Sequence, residues 1–259
     1  MKFRHYPIIV LLLLSILGVH NKSVAQVYHE VGIMAGPVSF RGDYGERGEV
    51  DAITKNTGFG FGLNHYLNFA FTDFSKREIR QHVKVRSSLI FHSTTLNHFG
   101  PTAELQNEGG EQLRAMSGEA NVLEIGSGLE YYLMSIRDFE RNPGAFTPYV
   151  GVGLNLIFYS PVADTSLEGG LGLPDTTFPT FLADPGEEPA YTNESNITLS
   201  ANFQGGIKYK ITRSSDLTFE LRWHYYFSDF VDGLEPIGPQ NKNNDWMFWF
   251  TFGYIYNLP

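Results

Sequence analysis

The pattern that organises the chain is an alternation with a period of two, clearest over residues 245–258, which read DWMFWFTFGYIYNL. Trp246, Phe248, Phe250, Phe252, Tyr254, Tyr256 and Leu258 take every second position, and Met247, Trp249, Thr251, Gly253, Ile255 and Asn257 form the mixed face between them. A period of two is the mark of a β-strand with two unlike faces. The run is longer than the ~5–6 residues usual in a globular sheet. It matches a strand crossing a bilayer at a tilt, which needs about 9–11. The competing reading is a core strand of a large soluble sandwich.

Seven earlier stretches repeat the scheme. Residues 27–40 set Val27, Val31, Ile33 and Ala35 on one face; residues 57–69 set Phe59, Phe61, Leu63, Leu67 and Phe69 against Gly58, Gly60, Gly62, Asn64 and Asn68. Residues 82–95 oppose Val83, Val85, Leu89 and Phe91 to His82, Lys84, Arg86 and His92, and residues 120–133 oppose Leu123, Ile125, Leu129, Tyr131 and Leu133 to Glu124, Gly126, Gly128 and Glu130. The same holds for residues 146–159, 197–211 and 217–227, whose apolar faces carry Val150 to Phe158, Leu199 to Tyr209 and Phe219 to Tyr225.

An even number of strands, apolar on one face and polar on the other, predicts an all-β, eight-stranded antiparallel transmembrane barrel, since no strand edge can face lipid. The joins are long at 41–56, 96–119, 160–196 and 228–245 and shorter at 70–81, 134–145 and 212–216. This predicts long outer loops and short periplasmic turns.

The N-terminus places this barrel in an exported protein. Lys2, Arg4 and His5 precede an apolar run over residues 8–19, and Ser23-Val24-Ala25 supplies small residues for cleavage. Residues 1–25 are therefore expected to be a signal peptide, cleaved after Ala25, leaving 26–259 as the barrel of the outer membrane. The chain has no cysteine, which excludes a lipoprotein anchor, disulfides and thiolate metal sites. Removing Lys2, Arg4 and Lys22 leaves 16 basic against 28 acidic residues, a formal charge of −12. That balance argues against nucleic acid as a partner.

An eight-stranded barrel has an interior wide enough only for side chains. The inward charges Lys84, Arg86, Glu124, Glu130, Lys208, Lys210, Glu220 and Arg222 carry both signs, so they are expected to pair across the lumen as a polar plug. A gated pore or catalytic cluster is the less favoured reading, and no diffusion channel is expected. The glycines of Gly58-Phe59-Gly60-Phe61-Gly62 sit on one strand face and open no helix, so close packing explains them better than a dinucleotide. The acids of residues 160–196, Asp164, Glu168, Asp175, Asp184, Glu187, Glu188 and Glu194, lack ligand spacing and read as a solvated loop rather than a Ca²⁺ site. Asp229 and Asp232 are read as a structural rim rather than an acid–base pair, because no nucleophile or histidine accompanies them. No catalytic, cofactor or metal residue is assigned, and the chain is expected not to be an enzyme.

Four stretches carry a family resemblance. Glu30-Val31-Gly32-Ile33 with Phe40-Arg41-Gly42-Asp43, then Leu129-Glu130-Tyr131-Tyr132 with Phe146-Thr147-Pro148-Tyr149-Val150, are the first two. Glu220-Leu221-Arg222 with Phe227-Ser228-Asp229-Phe230-Val231-Asp232, and Asn244-Asp245-Trp246, are the others. Together they resemble the PorG-like outer-membrane β-barrel family of the Bacteroidota, which includes a component of the type IX secretion system. The resemblance implies a non-enzymatic barrel that docks a periplasmic ring lipoprotein of a secretion or gliding machine. Lys76, Arg77, Arg80 and Arg137, in the presumed periplasmic turns, are the candidate partner contacts, since basic turns suit an acidic partner. The alternative is a self-standing structural or adhesive barrel acting through its outer loops.

Overall fold

The computed structural model describes residues 27–46, 50–71, 78–182, 189–237 and 244–258. The expected signal peptide, Lys76 and Arg77 lie outside the described residues, as do Asp184, Glu187 and Glu188 of the acidic loop.

Each of the eight alternating stretches forms a strand: β1 (Tyr28–Arg41), β2 (Thr57–Asn68), β3 (Val83–Asn97), β4 (Met116–Tyr132), β5 (Phe146–Thr165), β6 (Asn196–Thr212), β7 (Ser215–Tyr226) and β8 (Trp246–Asn257). Neighbours in sequence pair antiparallel, and β8 pairs with β1 through Glu30 opposite Asn257 and Arg41 opposite Trp246, closing the barrel. Closure satisfies every strand edge, which a bilayer requires.

The alternation sorts outside from inside. Phe252 is 68% exposed and Leu154 65%, whereas Glu124, Lys84 and Lys208 on the opposite faces are fully buried. An exterior of exposed apolar side chains around a charged interior inverts a soluble core and is the exterior of a membrane-spanning barrel. Aromatic side chains mark both ends of that exterior. Tyr131, Phe146, Tyr209, Tyr254 and Tyr256 lie toward the end where β1 starts and β8 finishes, which we call the base. Trp223, Tyr225, Trp246 and Phe248 lie toward the other end, the roof. Amphipathic rings favour such headgroup levels.

The strand limits differ from the sequence reading mainly in the β4–β5 hairpin. Residues 116–119 and 160–165, read as loop, continue the ladder, with Met116 opposite Thr165. There polar residues enter the outward face, Glu119 and Asn121 on β4 and Ser160 and Asp164 on either side of Val162 on β5, so the apolar alternation breaks while the backbone pairing does not. Asp164 therefore belongs to β5 and not to the acidic loop. The longest join shortens accordingly.

One apolar side chain fixes the inner wall. The Trp249 indole lies across the lumen face of β2, where a Cβ on Gly60 or Gly62 would meet it at 2.8 or 2.9 Å, and its Nε1 donates to Gly36 O at 3.2 Å. The inward glycines of β2 thus make room for a ring.

Candidate functional site

The lumen is filled in layers. Nearest the base, the Lys84 ammonium lies 2.5 Å from Glu30 and 3.1 Å from Glu140, and Lys210 contacts Glu140 and lies 2.9 Å from Asp216. Glu140 comes from α3 (Ile136–Arg141), a short helix of the 134–145 turn that folds up against the barrel, with Ile136 and Phe139 buried (α1, Val50–Lys55, and α2, Glu108–Ala115, lie in the long loops). Burial alone raises the Glu140 carboxyl, but Lys84 and Lys210 outweigh that and hold it down at about 2. Asn257 Nδ2 also donates to Glu140 at 2.8 Å, tying α3 to the end of β8.

Above this, Arg86 bridges Glu130 at 3.1 Å and Glu220 at 3.2 Å, while Lys208 lies 3.1 Å from Glu130 and contacts the Tyr132 hydroxyl. Arg222 pairs with Glu220 at 2.5 Å and stacks over the Trp249 ring at 5.2 Å. Lys208 also sits 4.2 Å from the Tyr66 ring centre, and the Tyr149 hydroxyl donates to Glu220 at 2.7 Å. Desolvated cations over aromatic faces gain roughly 2 kcal/mol or more. Each of these carboxylates faces at least one cation, the condition under which buried charge is tolerated.

The third layer centres on Glu124. Its Oε2 lies 2.9 Å from His224 Nδ1 and accepts from Asn155 Nδ2 at 2.8 Å, and its Oε1 accepts from the Tyr226 hydroxyl at 3.2 Å. His92 Nε2 stands 3.0 Å from the same hydroxyl and 3.5 Å from Glu124. Beyond it the lumen becomes apolar, with Phe40, Val122, Ile157, Met247 and Val231 buried beneath the roof.

The roof is built by loops pairing with one another. Thr192 N–H donates to Gly233 O at 2.8 Å and Glu235 N–H to Ala190 O at 2.9 Å, joining the 166–195 and 227–245 loops. Gly233 holds φ +90°, a left-handed conformation that favours glycine. On the other side, Gly45 N–H donates to His98 Nδ1 at 3.2 Å, and the Tyr44 hydroxyl to Ser117 O at 3.1 Å. Burial lowers the His98 imidazole to about 3, so it stays neutral.

Four aspartates meet in this roof. Asp43 N–H donates to Asp232 Oδ2 at 2.6 Å, Asp232 N–H to Asp245 Oδ2 at 3.0 Å, and Leu234 N–H to Asp232 Oδ1 at 2.8 Å. Asp232 and Asp245 are fully buried. Burial pushes Asp232 up to about 7 against those backbone donors, and burial with the neighbouring Asp232 and Asp43 carboxylates pushes Asp245 well up.

The structure thus places Lys84, Arg86, Glu124, Glu130, Lys208, Lys210, Glu220 and Arg222 in the layered network of the lumen, Glu124 in a layer of its own with His92 and His224, and Asp229 and Asp232 in the roof. Arg80 lies in a short 3-10 turn at the base. Arg137 is half-buried there; its Nε donates to Ala70 O at 2.6 Å and its guanidinium lies over the Phe71 ring, so it is bound up in the turn it belongs to. Sequence reasoning missed Glu30, Asp216 and Glu140 in the network and Asp43 and Asp245 in the roof. Glu30 shares the inward parity of β1 and was legible there; Glu140 enters from a turn and has no periodicity to reveal it.

No protein-family model and no curated protein sequence matches the chain. Among solved structures it is similar to Neisserial surface protein A, at 12% identity and a TM-score of 0.45 over 89% of this chain and 97% of that one. It is also similar to Ail, the attachment invasion locus protein of Yersinia pestis, at 9% identity and a TM-score of 0.44, covering 90% and 99%. The outer membrane protein OprG from Pseudomonas aeruginosa gives 12% identity, a TM-score of 0.41 and coverage of 90% and 98%. The fold itself rests on the closed strand order: the chain is an eight-stranded transmembrane β-barrel.

Proposed function

We propose that the chain is an exported, non-enzymatic outer-membrane barrel that works by contact and not by conduction. The observation that carries this reading is the filled lumen. Two layers of paired charge, a Glu–His–Tyr layer and an apolar cap fill the interior, and α3 covers its base. Work is then done at the two ends.

The base is the end we assign to the periplasm, because it carries the shorter turns. Arg141 and Arg213 are exposed there, and Arg80 stands in the adjoining turn. These basic groups suit an acidic partner. Combined with the PorG-like motifs, they support an accessory or anchoring role in a type IX secretion or gliding machine, the base meeting a periplasmic ring lipoprotein. Lys76, Arg77, Arg80 and Arg137 remain the proposed contacts, and Arg141 and Arg213 join them.

The second reading, a self-standing adhesive barrel, is favoured by the roof, whose loops form their own paired structure and carry exposed acids such as Glu104 and Glu168. Capture of the tagged chain from native outer membranes after gentle cross-linking separates the two. Recovery of a ring lipoprotein, lost in an Arg141→Glu, Arg213→Glu variant that still folds, supports the secretion role. Recovery of the barrel alone moves the function to the loops.

A further inference from the structure

Three of the roof aspartates converge on one point. One carboxylate oxygen from each of Asp43, Asp229 and Asp245 lies within 4.8 Å of the other two. Carboxylate oxygens that close together can meet one hard cation such as Ca²⁺, which binds oxygen at about 2.3–2.6 Å. The second observation is independent of that clustering. Asp245 is fully buried, and its Oδ1 accepts no hydrogen bond from any described residue although its Oδ2 is satisfied. A buried carboxylate oxygen left in this way is costly unless a cation meets it.

The chain also clears space at this point. A Cβ on Gly42 would lie 2.5 Å from Asp245 Oδ1 and 2.0 Å from Asp232 Oδ2, so only a residue without a side chain lets those oxygens reach their positions. Asp232 serves as the positioning group. Its carboxylate takes the N–H of Asp43 and its own N–H goes to Asp245, so it sets two of the three ligands from one loop. The ligands come from three places in sequence: the end of β1, the start of the 227–245 loop and the residue before β8. A cation here ties both ends of the β7–β8 connection to β1, next to the seam where the barrel closes.

We propose that the roof is a calcium site, with Asp43, Asp229 and Asp245 as carboxylate ligands and Asp232 holding two of them in place. Water and loop carbonyls complete the coordination of a hard cation that takes six to eight oxygens.

The test uses the whole folded barrel in detergent, stripped with a chelator, with calcium chloride as the probe. Calorimetric titration is expected to show one Ca²⁺ per chain with Kd in the range of about 10⁻⁴ to 10⁻³ M typical of extracellular sites, and added calcium to raise the temperature at which the folded band is lost on gels. Asp245→Asn is expected to weaken binding at least tenfold and to remove the calcium-dependent rise. Should that variant fail to fold, Asp229→Asn, at a partly exposed position, carries the same expectation. No heat and no shift of the wild-type melting at about 10 mM calcium, well above that Kd range, overturns the proposal. So does an Asp245→Asn chain that is more stable than wild type while calcium affects neither, because the acids are then neutralised by protons alone.

Discussion

At the base of the lumen, Glu30, Glu140 and Asp216 face Lys84 and Lys210, whereas in the roof Asp43, Asp229, Asp232 and Asp245 crowd against one another. Both groups are largely withdrawn from water. The base is neutralised by the chain's own cations, one layer above another, and α3 adds Glu140 to complete it. In the roof, Asp232 and Asp245 accept backbone N–H groups. The difference teaches where each end takes its stability from. The base draws on the chain's own side-chain cations, and the roof on backbone donors to its acids.

The contrast is broken most severely from inside the network. Glu130→Ala leaves Arg86 and Lys208 short of a shared partner in a buried layer, and removing one member of a buried pair costs about 3–5 kcal/mol. The folded, heat-modifiable band on gels should be lost or strongly weakened, and mutating the exposed Glu119 on β4 in the same way should leave it unchanged.

A smaller effect is expected at Glu140. Glu140→Gln removes its charge from Lys84 and Lys210 and should cost about 1–3 kcal/mol, read as a lower denaturant midpoint with faster amide exchange in α3. Its pH dependence has a definite sign. The folded carboxyl titrates at about 2, below its ordinary 4.5, so its contribution is complete above about 4.5 and is lost as pH falls from there toward 2. The stability difference between wild type and Glu140→Gln should therefore shrink across that window and stay flat above it. A difference that grows on acidification contradicts the pairing.

Much of this molecule was legible in the sequence because a membrane barrel imposes one rule on every strand. Lipid outside and packed charge inside force the period of two, so β2 and β8 could be read residue by residue. The rule lapses where the lipid ends. Beyond the apolar band β4 and β5 run on with polar residues on their outward face, so the reading stopped at 120 and 159 while the ladder continued to Met116 and Thr165. The lumen charges followed from parity along the strands, since Lys84, Arg86, Glu130 and Glu220 all stand at inward positions. Glu140 did not, because a turn carries no parity. The roof aspartates were legible only as a motif: Asp229 and Asp232 stood out, but their approach to Asp43 and Asp245 depends on barrel closure, which pairs β8 with β1.

The most direct measurement is single-channel recording on the purified, refolded chain in planar bilayers, beside an open porin as the positive control. A lumen filled by paired charge, capped by the roof and covered at its base by α3 predicts a silent membrane at any voltage the bilayer withstands. Steady conductance steps that scale with salt concentration would mean that water and ions pass through the barrel, and would contradict a protein that works by contact.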